Sequence, residues 1–198
     1  EHIFYMSEKQ RSIQVDRFPF LGGNKSSVLS SVFDVSDLEF IERLRSSRGE
    51  GNGKYAVMGS KSWIKGVEET QRYLGDLQID FDVLQGLTYH DMLRKLSEYN
   101  GLCFRPLGGD TCPRIVIEAK LLGLELDIND NVQHAEEEWF CQDIDQVESY
   151  LLNAHNRFWG KITEFIEKLP TVSGYTTVRN VESQGYPWRK SIGSLLQF

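Results

Sequence analysis

The sequence predicts an α/β fold, a parallel sheet flanked by helices. Three observations lead there. Short apolar runs alternate with longer stretches of helical character between residues 55 and 128. Glycines or an Asn/Asp cluster follow each run. Residues able to do chemistry, Lys65, Asp110 and Asn129-Asp130-Asn131, come after the runs end. Strands alternating with helices at these spacings indicate βαβ units. Right-handed crossovers then place all the strand C-terminal ends on one edge, where open α/β sheets bind ligands.

Residues 1–7 read as a strand and Glu8 to Phe18 as a helix. Arg43 to Gly53 is charged and contains several glycines, and reads as a mobile loop. Tyr55 to Met58 is a buried strand, Gly59 the turn after it, and Val67 through Leu74 a helix. Phe81 to Leu84 is a strand closed by Gln85-Gly86, and Thr88 caps a helix carrying Met92, Leu93, Leu96 and Tyr99. Leu102, Cys103 and Phe104 form the next buried strand. Gly108 and Gly109 let the backbone turn and approach a ligand closely. Pro113 suits the first turn of a helix, where a missing N–H costs nothing. Ile115, Ile117, Ala119, Leu121 and Leu122 make that helix apolar on most sides, hence buried, and Gly123 stops it. Leu124 to Ile128 is a fourth strand, and Asp145 to Leu169 reads as one long amphipathic helix.

Composition narrows the function classes. The chain has 198 residues, enough for one domain or a domain with pieces of its neighbours. It contains no run of eighteen apolar residues and no signal-peptide pattern. Three scattered cysteines, Cys103, Cys112 and Cys141, suit free thiols in a reducing cytoplasm. Cys112, beside a helix start, is expected to have a lowered pKa. A net charge of −7 argues against nucleic acid as partner. Glu136-Glu137-Glu138 reads as a solvated helix start, and no Cys/His spacing suggests zinc.

The helix opening near Pro113 is the most informative place. A helix N-terminus preceded by glycines favours anions, because free N–H groups and the positive dipole end point at them. Asp110 and Glu118 flank it, one at its mouth and the other about two turns inside. A diphosphate held at the amides would have one acid for each neighbouring sugar. The same residues also fit a plain capping loop, since Asp and Thr are good caps, with Glu118 as a half-exposed helix residue.

Asp110-Thr-Cys-Pro113-Arg-Ile-Val-Ile-Glu118-Ala119 resembles the acid-x(7)-Glu motif of retaining GT-B glycosyltransferases, usually Glu-Gly-x-Pro/Gly-x-x-x-x-Glu-Ala before a helix ending in Gly. Pro113, Glu118, Ala119 and Gly123 fall where that family has them. Asp110 replaces the first Glu and Thr111 a Gly. Upstream, Lys54 to Val67 resembles the family's first strand and loop in the nucleotide domain, Val-Gly-Arg-x-x-x-x-Lys-Gly. Lys65-Gly66 matches its second half; Gly59 keeps the turn, and Ser60 stands at the Arg position with Lys61 next to it. A lysine is a point charge rather than a bidentate fork, so Lys61 substitutes imperfectly.

The resemblance implies a Rossmann-like domain, the C-terminal half of a GT-B fold, moving a hexose from a nucleotide-diphosphate sugar to a glycan or glycoconjugate. It implies that Asp110 binds hydroxyls of the donor sugar, that Lys65 and the amides around Gly108, Gly109, Thr111, Cys112 and Arg114 hold the diphosphate, and that Glu118 binds the ribose. It implies no metal and no cofactor, the nucleotide sugar being substrate, and a site in the cytoplasm or at the inner membrane face. Polysaccharide biosynthesis is the setting expected for such a transferase.

The same resemblance divides the chain into three. Residues 1–25 read as a remnant of the acceptor-side domain and the crossover from it, a domain that in the family carries groups facing the reacting carbon. Residues 26–169 are the donor-binding domain. Residues 170–198 form an αβ tail resembling the opening strand and helix of inverting GT-A glycosyltransferases. The tail equally fits a decoration packed on the first domain, or strand exchange into a homodimer. Read without its acceptor-side half, the chain is expected to bind donor with little turnover. Two other readings of the residues stay open, a nucleotide- or phosphate-binding regulatory module and an interaction domain with a degenerate site.

Overall fold

A computed structural model of the chain describes residues 2–23 and 26–167. The chain divides into two units, Glu1–Glu164 and Phe165–Phe198. All the described strands, the core and the residues of the candidate site belong to the first unit. The expected strand and helix of the tail lie outside the described residues.

The architecture is Rossmann-like α/β, with parallel strands flanked by helices. Strand β1 (Ile3–Tyr5) leads into helix α1 (Glu8–Arg17), and β2 (Ser26–Val28) returns to pair with β1 in parallel. Ser7 caps α1 by accepting from the Gln10 amide. Helix α2 (Val35–Ser47) comes next. The main sheet then forms from β3 (Tyr55–Met58), β4 (Phe81–Leu84), β5 (Gly101–Phe104) and β6 (Glu125–Ile128), ordered β4-β3-β5-β6 and parallel throughout. Helices α3 (Val67–Asp76), α4 (Tyr89–Leu96) and α5 (Arg114–Leu121) connect these strands. A short α6 (Glu138–Cys141), then α7 (Ile144–Leu152) and α8 (Ala154–Glu167), come after the sheet.

Strand β5 is buried at all four residues, as a central strand covered on both faces must be. Leu102 and Cys103 are fully buried on it. Leu93, Leu96, Val116, Ile117, Ala119, Leu122, Val147 and Leu151 close around the sheet in the main core. Among the described residues no helix is long and apolar enough to cross a membrane.

Two expectations are corrected. The loop expected over Arg43–Gly53 is helical through Ser47, as the end of α2. Leu38 and Ile41 are buried on that helix, with Leu44 packed beside them, a three-residue apolar spacing that the surrounding charges mask. Arg45 anchors its last turn, donating to the Leu121 carbonyl at 3.1 Å and pairing with Glu148 at 3.1 Å. The single helix expected from Asp145 is two helices. Asn153, the C-cap of α7, divides them: its backbone amide and its side chain both donate to the Ser149 carbonyl, at 3.2 and 2.9 Å.

The loops after β3 and β5 are tied together. Gly66 is left-handed at φ 62°, and a Cβ there would lie 2.5 Å from the Arg105 carbonyl oxygen. The Leu107 amide donates to the Ile64 carbonyl at 2.7 Å. Substituting Gly66→Ala forces both a strained backbone and a collision with main chain. The expected result is a loss of about 2 kcal/mol or more of stability, read from the urea midpoint, while Gly75→Ala on α3, where a Cβ meets nothing within 4 Å, leaves it unchanged or raised.

Candidate functional site

The strand order sets the place. From β3 the chain steps outward to β4 and then crosses back to β5 on the other side of β3. The order reverses between β3 and β5, the position where open α/β sheets bind ligands at their strand C-terminal ends. The loops leaving those two strands carry Gly59 to Lys65 and Gly108 to Pro113, so the sequence-predicted residues converge there.

Lys65 and Asp110 meet. The ammonium donates to Asp110 Oδ2 at 2.5 Å across 45 residues of sequence, and lies 5.6 Å from the Phe104 ring centroid. Asp110 is positioned by its backbone, which makes a parallel bridge with Val132: its amide donates to the Asn131 carbonyl at 2.7 Å, and its carbonyl accepts from the Gln133 amide at 2.9 Å. Asn129 and Asn131 both donate side-chain amides to the Pro106 carbonyl, at 3.0 and 2.8 Å. The segment after β6 thus braces the loop after β5.

The loop amides and the helix start differ in detail from a capping loop. Helix α5 begins at Arg114 with Pro113 in the capping position and no side-chain cap. Among the described residues, the amides of Gly108, Gly109, Thr111 and Cys112 have no backbone partner, whereas that of Asp110 is used by Asn131. A Cβ on Gly109 would lie 2.5 Å from Gln133 Nε2. Gly59 is held by its amide, which donates to the Leu84 carbonyl, and Gln85 lies 2.9 Å from where its Cβ would be. Ser60 and Lys61 are exposed, with Ser60 Oγ accepting from the Ser62 amide at 3.1 Å.

Glu118 is a buried carboxylate, not the half-exposed residue of the plain reading: it is 2 % exposed. Its Oε1 accepts from the Tyr89 hydroxyl at 2.9 Å and from Arg114 Nε at 3.3 Å. Its Oε2 accepts from no partner among the described residues. Burial lifts the Glu118 pKa above the ordinary carboxylate value, and the Tyr89 and Arg114 bonds oppose that rise. The Tyr89 hydroxyl is pushed up in turn, by burial first and by the Glu118 charge second. Arg114 continues the network, donating to the Tyr89 oxygen at 3.0 Å, pairing with Asp37 at 3.4 Å and lying 4.2 Å over the Phe33 ring. These groups line a groove of about 480 Å³ walled by Met58, Met92 and Ile115, within the size range of small-ligand sites.

Cys112 corrects the expectation of a reactive thiol. It is buried, accepts from Ser31 Oγ at 3.3 Å, and burial raises its pKa. Glu136 and Glu138 are exposed at the start of α6, as expected of a solvated helix start, whereas Glu137 is half-buried at the N-cap position, makes no side-chain cap bond to the helix and accepts from the Glu8 amide at 2.6 Å. Among the described residues no group of three His, Cys, Asp or Glu side chains is placed to hold a metal ion.

Sequence reasoning passes over Asp37, Tyr89, the Arg114 side chain and His134. Tyr89 sits one residue after the Thr88 cap, so its place at the strand-end edge is readable. Asp37 comes from a helix that the sequence pattern conceals. Comparison of the chain with family models and with curated proteins yields no match.

His134 lies in the segment bracing Asp110. It is fully buried, stacked on Trp139 and edge-on to Phe140, and neither ring nitrogen has a hydrogen-bond partner among the described residues. Burial drives its pKa from 6.5 down to about 4, with the Asp110 charge opposing. The unfolded chain takes up this proton near pH 6.5 and the folded chain only near pH 4. Stability from this group is therefore complete above pH 6.5 and falls as pH drops toward 4, by roughly 3 kcal/mol. Urea melts of the wild type should show about 2 kcal/mol of that loss between pH 7 and 5, and His134→Leu should flatten it.

Proposed function

We propose that this domain binds the nucleoside diphosphate of an activated sugar, as the donor-binding half of a GT-B-type glycosyltransferase. One observation carries the reading: Lys65 and Asp110, from the loops after two neighbouring strands, meet at 2.5 Å where the strand order reverses. Beside them lie loop amides without a backbone partner among the described residues and the start of α5, with the buried Glu118 one groove away.

Each group has a task in that reading. The amides of Gly108, Gly109, Thr111 and Cys112 and the N-terminal end of α5 receive the diphosphate. Lys65 exchanges its Asp110 partner for a phosphate oxygen and stabilises the charge that builds on the leaving diphosphate. Asp110, released from the lysine and held by its backbone bridge, orients the hydroxyls of the transferred hexose. Glu118 offers Oε2 to the ribose while Tyr89 and Arg114 hold Oε1. Ser60 and Lys61 remain at the exposed rim, where Lys61 adds a diffuse positive charge. The transferase chemistry, its hexose and its glycan acceptor rest on the motif resemblance together with this geometry.

Calorimetric titration with nucleoside diphosphates tests the reading. Lys65→Ala should weaken diphosphate binding by about 1.5–3 kcal/mol, the worth of one charged hydrogen bond, and leave binding of the unphosphorylated nucleoside unchanged. Glu118→Gln should instead reduce the preference for ribonucleotides over 2′-deoxyribonucleotides. Unaltered affinity and ribose preference in both variants would place any nucleotide binding away from Lys65 and Glu118 and overturn the reading.

A further inference from the structure

The glycine loop after β5 has a buried neighbour with a hydrogen-bond donor to spare. Resting on the donor-binding reading above, we propose that Gln133 is a further ligand of the diphosphate, its side-chain Nε2 donating to a phosphate oxygen held at Gly109.

Gln133 follows β6, in the segment that braces the loop. Its backbone amide donates to the Asp110 carbonyl at 2.9 Å, one residue past the bridge between Asp110 and Val132. From there its side chain lies against Gly109: a Cβ on residue 109 would stand 2.5 Å from Nε2. Gly109 is not left-handed, so the approach of Gln133, rather than backbone conformation, calls for a glycine there. The other end of the side-chain amide is fixed. Ser7 is fully buried, and its Oγ accepts from the Gln10 amide at 3.0 Å, which leaves its proton for Gln133 Oε1 at 3.5 Å. That bond settles which end of the amide is oxygen and turns Nε2 to the loop.

Nε2 is then a donor without a task. Gln133 is 9 % exposed, and Nε2 has no partner among the described residues. Buried side-chain donors are nearly always satisfied. Gln133 also borders a pocket of about 530 Å³ lined by Glu8, Glu136, Glu137 and Glu138. Any of these carboxylates is a good acceptor, yet none takes Nε2, which sits on Gly109 instead. Unlike the ring nitrogens of His134 beside it, Nε2 is not sealed from the surface, so an incoming group can reach it. The loop that it faces presents further donors: the amides of Gly108, Gly109 and Thr111 lack a backbone partner among the described residues, and Lys65 adds its ammonium. Several donors converging on one place suit a ligand with several acceptor oxygens and no proton to give, which is the chemistry of a phosphate.

The experiment is a calorimetric titration of the whole chain with uridine, guanosine and adenosine diphosphates, with inorganic pyrophosphate, and with the unphosphorylated nucleosides, on the wild type and on Gln133→Met. Methionine keeps the length of the side chain and removes the donor. Gln133→Met should bind the diphosphates about tenfold or more weakly, the worth of one hydrogen bond to a charged group, and bind the nucleosides as the wild type does. Unchanged diphosphate affinity in a folded Gln133→Met variant overturns the role of Gln133; if Lys65→Ala still weakens diphosphate binding, the donor-binding reading stands without it. Equal losses for diphosphate and nucleoside mark a structural role and overturn the proposal as well. No binding of any diphosphate by the wild type overturns the donor-binding reading, and this proposal with it. Should Gln133→Met not fold, as judged by circular dichroism, NMR of the wild type decides. The Gln133 side-chain amide signals, assigned through its own backbone, should shift with added diphosphate and stay in place with nucleoside; signals unmoved by bound diphosphate overturn the proposal.

Discussion

The fastening of three loops at one sheet edge is the constraint on which the rest depends. The loop after β3 is joined to the loop after β5 through the Leu107–Ile64 backbone bond and the close passage of Gly66 under Arg105. The loop after β5 is joined to the segment after β6 through the Asp110–Val132 bridge and the two asparagine bonds to Pro106. Each of these contacts ends on main chain, so together they hold Lys65 and Asp110 in place more rigidly than a surface ion pair would. The ion pair is a consequence of the fastening and adds charge complementarity to it.

Around that edge, electrostatics divide into two compartments. At the loop mouth, one lysine and one aspartate neutralise each other beside amides that have no backbone partner among the described residues. In the neighbouring groove, a buried glutamate shares one guanidinium with Asp37 and takes a phenol bond as well. Burial raises the Glu118 pKa while the bonds from Tyr89 and Arg114 pull against it. Removing either partner would leave a poorly compensated carboxylate in the interior, a costly arrangement.

Much of the main sheet is legible in the sequence because each strand is short, apolar and followed by turn residues. Tyr55–Met58 and Phe81–Leu84 fall where the apolar runs are, and Gly123, left-handed at φ 76°, ends its helix as a C-terminal glycine should. Helix α2 is hidden because glutamates and arginines interleave its apolar positions. The break at Asn153 is not registered by periodicity, because apolar residues continue at helical spacing on both sides of it. In the site, the positions of Lys65, Asp110 and Glu118 after strand ends are readable, but their partners are not. Which loops become neighbours depends on the order β4-β3-β5-β6, a tertiary fact. The burial that raises the Cys112 pKa, and the entry of Asp37 from α2, are tertiary in the same way.

The most direct measurement is a crystal structure of the chain with a bound nucleoside diphosphate. The diphosphate should lie on the amides of the 108–112 loop, with Lys65 turned from Asp110 to a phosphate oxygen and the ribose on Glu118 Oε2. A nucleotide lodged elsewhere, with the Lys65–Asp110 pair intact and the groove empty, would contradict the donor-binding role.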